Sequence, residues 1–244
     1  MRRIDQLLSS LGYCSRKQAQ VFCAAGRVTV DTRRVKDASQ KAEPAEVRLD
    51  GEPLDFPDGL FVLMHKPAGL VCSHDTREGP RVYDLLPERW QQRDPKVTTI
   101  GRLDKDTSGL LLLTDQGPLV QRLTSPRHHV EKLYVATLDR EPTAEMIAAF
   151  AQGLELTEDG EKVKTMPATL RALGGQRAEV TLHEGRYHQV RRMFAATGAH
   201  VSALERTRFG EWTLGDLPAG SWKAAPLPQP SGTSSKAPST DTLG

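Results

Sequence analysis

Four consecutive leucines, Leu110–Leu113, lie inside GRLDKDTSGLLLLTD (residues 101–115) and constrain the fold more than any other stretch. An unbroken apolar run of this length, bounded by polar residues and glycine, predicts an inner strand of a sheet. Gly101 and Gly109 bracket the polar loop in front of it, and glycine suits places where backbone nears backbone or a ligand. The stretch also holds three acids, Asp104, Asp106 and Asp115. Aspartates in loops commonly cap their own turns. Each of the three is therefore a candidate for turn formation, ion pairing or chemistry until the rest of the chain is read.

The chain has 244 residues, 38% hydrophobic and 26% charged, enough to bury a core in one large domain or two smaller ones. No apolar stretch nears the ~20 residues needed to span a bilayer, and the first residues lack the apolar segment of a secretory signal. We expect a cytoplasmic protein. Cys14, Cys23 and Cys72 form no CxxC pair, which fits reduced thiols. The seven histidines show no metal-ligand spacing, so no metal is expected. The net charge of +2 hides an asymmetry: residues 1–41 carry nine Lys and Arg against three Asp. That concentration points to a phosphate-bearing partner, with a merely solvated face as the plain alternative.

Ile4, Leu7, Leu8 and Leu11 follow helical spacing, and Gly12 can end that helix. Ser15 with Gln18 forms a capping box for a second helix from about Arg16 to Ala25. RVTVD and EVRLDG read as short strands. Residues 1–52 thus form a small module, and the Pro- and Gly-rich residues 53–59 a linker. From 60 to 226, LFVLMHK, VTTIG, GLLLLTD, EKLYVATL and RAEVTLHEG read as strands, and PTAEMIAAFAQGL and YHQVRRMFAATG as helices. Because helices do not alternate regularly with strands, the expected fold class is α+β, with a mainly antiparallel mixed sheet and flanking helices. Residues 227–244 are polar and rich in Ser, Thr and Pro, and are expected to be a disordered tail.

In the first module, Arg16 and Lys17 follow the Ser15 cap, where backbone N–H groups and the helix dipole favour phosphate. Arg2 and Arg3 open the first helix and Arg27 follows the second. The order RIDQLLSSLGYCSRKQAQVFCAAGRVTVD resembles the S4 RNA-binding domain over residues 2–50. Asp31-Thr32 stands where many members have Asn-Gly. The resemblance implies that Arg2, Arg3, Ser15, Arg16, Lys17 and Arg27 contact RNA, through shape and backbone.

GRLDKDTSGLLLLTD itself resembles the catalytic motif of pseudouridine synthases. EKLYVATL is similar to the strand carrying that family's active-site tyrosine, here Tyr134. EGRYHQVRRMFAATG is similar to a third motif, whose basic residue, here Arg191, pairs with the catalytic aspartate, here Asp104. By the same resemblance Arg102 fills the space left by a flipped base, and Leu204 floors the uracil pocket. His188 is expected to be a buried hydrogen-bonding residue near the substrate, and Arg186 and Arg192 a basic stripe against phosphates. The S4 module and SPRHHVEKLY point to the RsuA branch, which acts on 16S ribosomal RNA at the position called uridine 516. The implied partner is 16S ribosomal RNA, free or in an assembling small subunit, with no membrane, for a monomer with no cofactor.

The chemistry suits these residue types. Turning uridine into its C-glycoside breaks N1–C1′ and rejoins the base through C5. A carboxylate can attack the sugar or base, stabilise positive charge on the ribose, or remove a proton. Desolvation would raise its pKa unless a cation opposes that. A tyrosine can stack on a base taken out of its helix. Three alternatives remain: the same chemistry on large-subunit RNA, a non-catalytic S4-type RNA-binding protein, or a glycosidase pairing Asp104 with Asp106 or Glu131.

Overall fold

The computed structural model describes residues 1–158 and 160–229. Helices α1 (Ile4–Ser10) and α2 (Arg16–Ala24) pack on a small antiparallel sheet. Its strands are β1 (Val28–Val30), β2 (Arg33–Arg34), β3 (Val47–Leu49) and β4 (Glu52–Pro53), in the order β2-β1-β3-β4. Ile4, Leu7, Leu8 and Leu11 all face this core, as their spacing requires. The capping box forms: Gln18 N–H donates to Ser15 Oγ at 3.3 Å, and Ser15 N–H to Gln18 Oε1 at 2.8 Å. Without it these donors, at the exposed first turn of α2, would have only water as partner.

The expected linker is stitched down along its length. Asp55 ion-pairs with Arg89, and its N–H donates to Tyr13 Oη at 2.9 Å. Phe56 meets Trp90 edge-on at 5.5 Å. Arg93 donates to the carbonyl of Phe56 and pairs with Asp115 at 2.6 Å, both side chains buried.

The larger unit is built on one sheet. In chain order its main strands are β5 (Phe61–Lys66), β6 (Thr98–Ile100), β7 (Thr107–Thr114), β8 (Lys132–Leu138), β9 (Glu155–Glu158) and β10 (Glu161–Lys164). They continue with β11 (Thr169–Gly174), β12 (Arg177–Leu182), β13 (Val201–Phe209), β14 (Trp212–Thr213) and β15 (Trp222–Ala224). The sheet runs β11-β12-β8-β13-β7-β5-β15, with β6 on β7, β14 on β13, and β9–β10 a separate hairpin. The β13–β7 pair is parallel, and the other pairs of this sheet are antiparallel. The sheet is therefore mixed and mainly antiparallel.

The leucine run lies in β7, inside the sheet. Leu111 and Leu113 join one core with Val62, Met64 and Trp90, while Leu110 and Leu112 join another with Phe61, Ile100 and Phe209. All four are fully buried, each contributing roughly 1.5–3 kcal/mol from removal of apolar surface. Helices α3 (Gly117–Thr124), α4 (Ala144–Gln152) and α5 (Gln189–Ala196) flank the sheet. Phe150 of α4 and Phe194 of α5 meet at 4.9 Å in a third core. The expected tail lies, from residue 230 onward, outside the described residues; before that point Leu227 packs beside the Phe61 core and Arg122 donates to the carbonyl of Pro228 at 2.9 Å.

Candidate active site

The loop between β6 and β7 is held from beneath by Lys66, the last residue of β5. Its side chain is wholly buried, and the ammonium donates to the carbonyls of Pro67 (3.1 Å), Lys105 (3.1 Å) and Thr107 (2.7 Å). Burial pulls the Lys66 pKa down, and Asp104 and Asp106 are among the negative groups that oppose it. Thr107 N–H also donates to the carbonyl of Asp104 at 3.1 Å. Asp104 is thus mounted on a loop fixed at both sides, half-exposed to a cavity of about 850 Å³.

Tyr134 on β8, Leu204 on β13 and Arg102 in the loop line the same cavity. Leu204 is buried and sits opposite Ala136 and Thr107 in the sheet. Tyr134 is half-buried and spans two of the cores, and Arg102 is exposed. The sequence-predicted set of Asp104, Tyr134, Leu204 and Arg102 therefore converges on one site.

Arg191 does not take its expected place. Its Nη2 lies 3.1 Å from Asp106 Oδ2, and its Nη1 donates to the carbonyl of Val201 at 2.9 Å. The group beside Asp104 is His188, with Nε2 3.3 Å from Oδ1. The reason is helical phase. His188 is the N-cap of α5, in a left-handed conformation (φ 46°), while Arg191 lies nearly one turn further on. The cap reaches the first carboxylate and the arginine the second. His188 is correspondingly not buried; its side chain is 38% exposed and its ring stacks on Tyr187 at 3.9 Å.

Arg186 and Arg192, expected to form a basic stripe, both carry ion pairs within the protein. Both pair with Glu158 at the end of β9, at 2.9 Å and 3.0 Å, and Arg186 also pairs with Glu184 at 3.1 Å. These arginines pin the β9–β10 hairpin against the start of α5. Of the S4-module residues, Arg3 pairs with Asp5 at 2.9 Å and Arg27 with Asp50 at 2.6 Å, its guanidinium lying over Phe22. Arg2 donates to Ser10 Oγ, and Ser15 is occupied by its cap. Arg16 and Lys17 stand exposed at the first turn of α2 with no ion-pair partner among the described residues.

Residues 60–196 match the family described as RNA pseudouridylate synthase, and residues 2–47 match the S4 domain. The chain belongs to the RNA pseudouridylate synthase family. Ribosomal small subunit pseudouridine synthase A of Yersinia pestis is 42% identical over 216 residues, covering 88% of this chain and 90% of that protein. The protein of the same name from Escherichia coli K12 is 41% identical over 226 residues, 91% of this chain and 95% of that one. A pseudouridylate synthase crystal structure superimposes with a TM-score of 0.64 at 35% identity, covering 93% of this chain and 96% of that one.

Three cavity-related residues of this synthase escaped the sequence reading. Lys66 closes a strand that read as core. Arg206 sits among charged residues of β13 yet is 1% exposed, its Nε donating to the carbonyl of Leu110 at 2.9 Å. Lys132, two residues before Tyr134, lines the cavity and donates to the carbonyl of Val130 at 2.8 Å. The one available signal was period: on a strand, residues 132 and 134 share a face. As a member of this family the chain is an enzyme, an isomerase of uridine in RNA, and its cavity is lined by a carboxylate, a phenol and several cations.

Proposed function

We propose that this synthase converts a uridine of 16S ribosomal RNA, at the position called uridine 516, into pseudouridine, acting as a cytoplasmic monomer without a cofactor. The observation that carries the reading is the placement of Asp104 on a braced loop, facing a cavity shared with Tyr134 and Leu204. The small-subunit substrate is supported by relatives of that name aligned over nearly their whole length.

The target base must leave its stack to enter a cavity of this depth. Tyr134 stacks on the uracil, Leu204 forms its floor, and Arg102 at the mouth takes up the space left in the RNA. Asp104 acts on the ribose, either attacking C1′ or removing a proton from C2′, while His188 steadies its carboxylate. Arg191 holds Asp106 and the strand at Val201, so it positions the loop. Arg16 and Lys17 meet backbone phosphates of the same RNA.

The test is pseudouridine mapping of 16S ribosomal RNA from cells with the protein, without it, and with only Asp104→Asn. The site should be modified in the first alone, and purified Asp104→Asn should bind RNA within about twofold of wild type, as expected when only a transition-state interaction is lost. Turnover in the variant would overturn the role of Asp104, and an unchanged map without the protein would overturn the substrate.

A further inference from the structure

The wall of the cavity next to Tyr134 carries positive charge that the protein itself does not balance. Lys132 lies opposite Phe209 in the sheet, and Tyr134 lies opposite Arg206. Both cations share the Phe209 ring, the Lys132 ammonium 5.3 Å and the Arg206 guanidinium 5.1 Å from its centroid. Among the described residues neither has a carboxylate within ion-pair distance. Arg206 is almost wholly buried, and its Nη2 has no hydrogen-bond partner. Glu184, an acid lining the same cavity as Lys132, is held by Arg186, Gln189 and the N–H of Met166. A buried guanidinium beside a half-buried ammonium, with no anion paired to either, is costly, and such a cost persists where a ligand supplies the charge.

We propose that Lys132 and Arg206 form a cationic subsite that takes up the negative charge of the uracil as it leaves C1′. The proposal rests on the Asp104 cavity being the site of reaction. Heterolysis of N1–C1′ sends the electron pair out on the base, as a uracil monoanion with charge shared among N1, C5, O2 and O4. The electron-poor C1′ is met by the Asp104 carboxylate, or relieved by loss of a C2′ proton that later returns. The pair comes back as the new C5–C1′ bond, and the C5 proton is transferred to leave N1 protonated. Nothing is gained or lost overall. The anion exists only between the two bonds, so cations fixed beside the stacking ring favour the transition state over bound uridine. A phosphodiester would need to bring a permanent charge past Tyr134 to reach Arg206, which the depth of that residue disfavours.

The experiment compares wild type, Lys132→Met and Lys132→Arg on RNA carrying the mapped target, read by single-turnover rate at saturating RNA and separately by Kd. Lys132→Met should lower the rate about ten- to a hundredfold and leave Kd within about twofold, with Lys132→Arg recovering most of the rate. Target RNA with 2-thiouridine or 4-thiouridine replaces a carbonyl oxygen with a weaker acceptor. One of the two should slow wild type, and that slowing should vanish in Lys132→Met. The proposal is overturned if Lys132→Met raises Kd with its saturating rate intact, which marks a phosphate contact. It is overturned equally if rate and Kd are both unchanged, or if neither thio substitution slows wild type. Asp104→Asn is run alongside: turnover there would overturn the underlying assignment of the cavity, independently of Lys132.

Discussion

Lys132 also allows a test that needs no RNA. Burial, with help from Arg206, pushes its ammonium down to about 8 from an ordinary 10.5, and Glu184 opposes only in part. The unfolded chain therefore holds this proton more tightly than the folded one. At pH 7 the group is charged in both states and folding bears the full cost of burying it. As pH rises from 8 towards 10.5 the folded protein sheds the proton first, and that cost is relieved. Lys132→Met should thus be at least as stable as wild type at pH 7, with the difference shrinking by pH 10. Denaturant titrations of both proteins at the two pH values measure it, and parallel pH dependences would exclude the effect. A residue whose removal stabilises the fold is best explained by work done with a ligand.

At the scale of elements, the parallel contact between β7 and β13 brings Leu204 and Arg206 alongside the strand that follows Asp104. Gly109 makes it possible, with φ at +107° and the backbone of Arg206 filling the space of a side chain; a Cβ there would lie 2.6 Å from the Arg206 nitrogen. Gly109→Ala should cost on the order of 3 kcal/mol, seen as a Tm about 10 °C lower for a domain of this size. An unchanged melting curve would show that the strands can separate freely. The need for glycine before LLLL was legible in the sequence, as were both buried faces of that strand and the helices begun by Ser15 and Thr143. Strand β13 was not, because Glu205, Arg206 and Arg208 mask its alternation although Arg206 turns inward. The short acidic β9–β10 hairpin was equally hidden, since it is held by Arg186 and Arg192 from distant sequence. Nor could spacing alone decide between His188 and Arg191 as the neighbour of Asp104. That choice turns on one left-handed residue at the start of α5.

At the scale of the whole molecule, the S4 domain is fixed to the catalytic domain. The N–H of Asp94 donates to the carbonyl of Ser10 at 2.9 Å, and the Arg89 guanidinium lies 4.2 Å from the centre of the Tyr13 ring while pairing with Asp55. Gly12 sits so close to the Arg89 carbonyl that a side chain would not fit. Deleting the S4 domain would therefore uncover Arg89 in the short helix Glu88–Gln91 and confuse binding with folding. Reversing two exposed charges is the cleaner intervention. Arg16 and Lys17 follow the Ser15 cap directly, stand exposed, and are not among the residues that make these contacts. If each meets one phosphate, Arg16→Glu with Lys17→Glu should flatten the slope of log affinity against log salt by roughly 0.7–0.9 per contact. The rate at saturating RNA should stay at the wild-type value, because the Asp104 cavity is untouched. An unchanged slope would mean that RNA enters without crossing the start of α2, and a lost rate at saturation would mean that the S4 domain sets the register of the target base as well as holding its backbone.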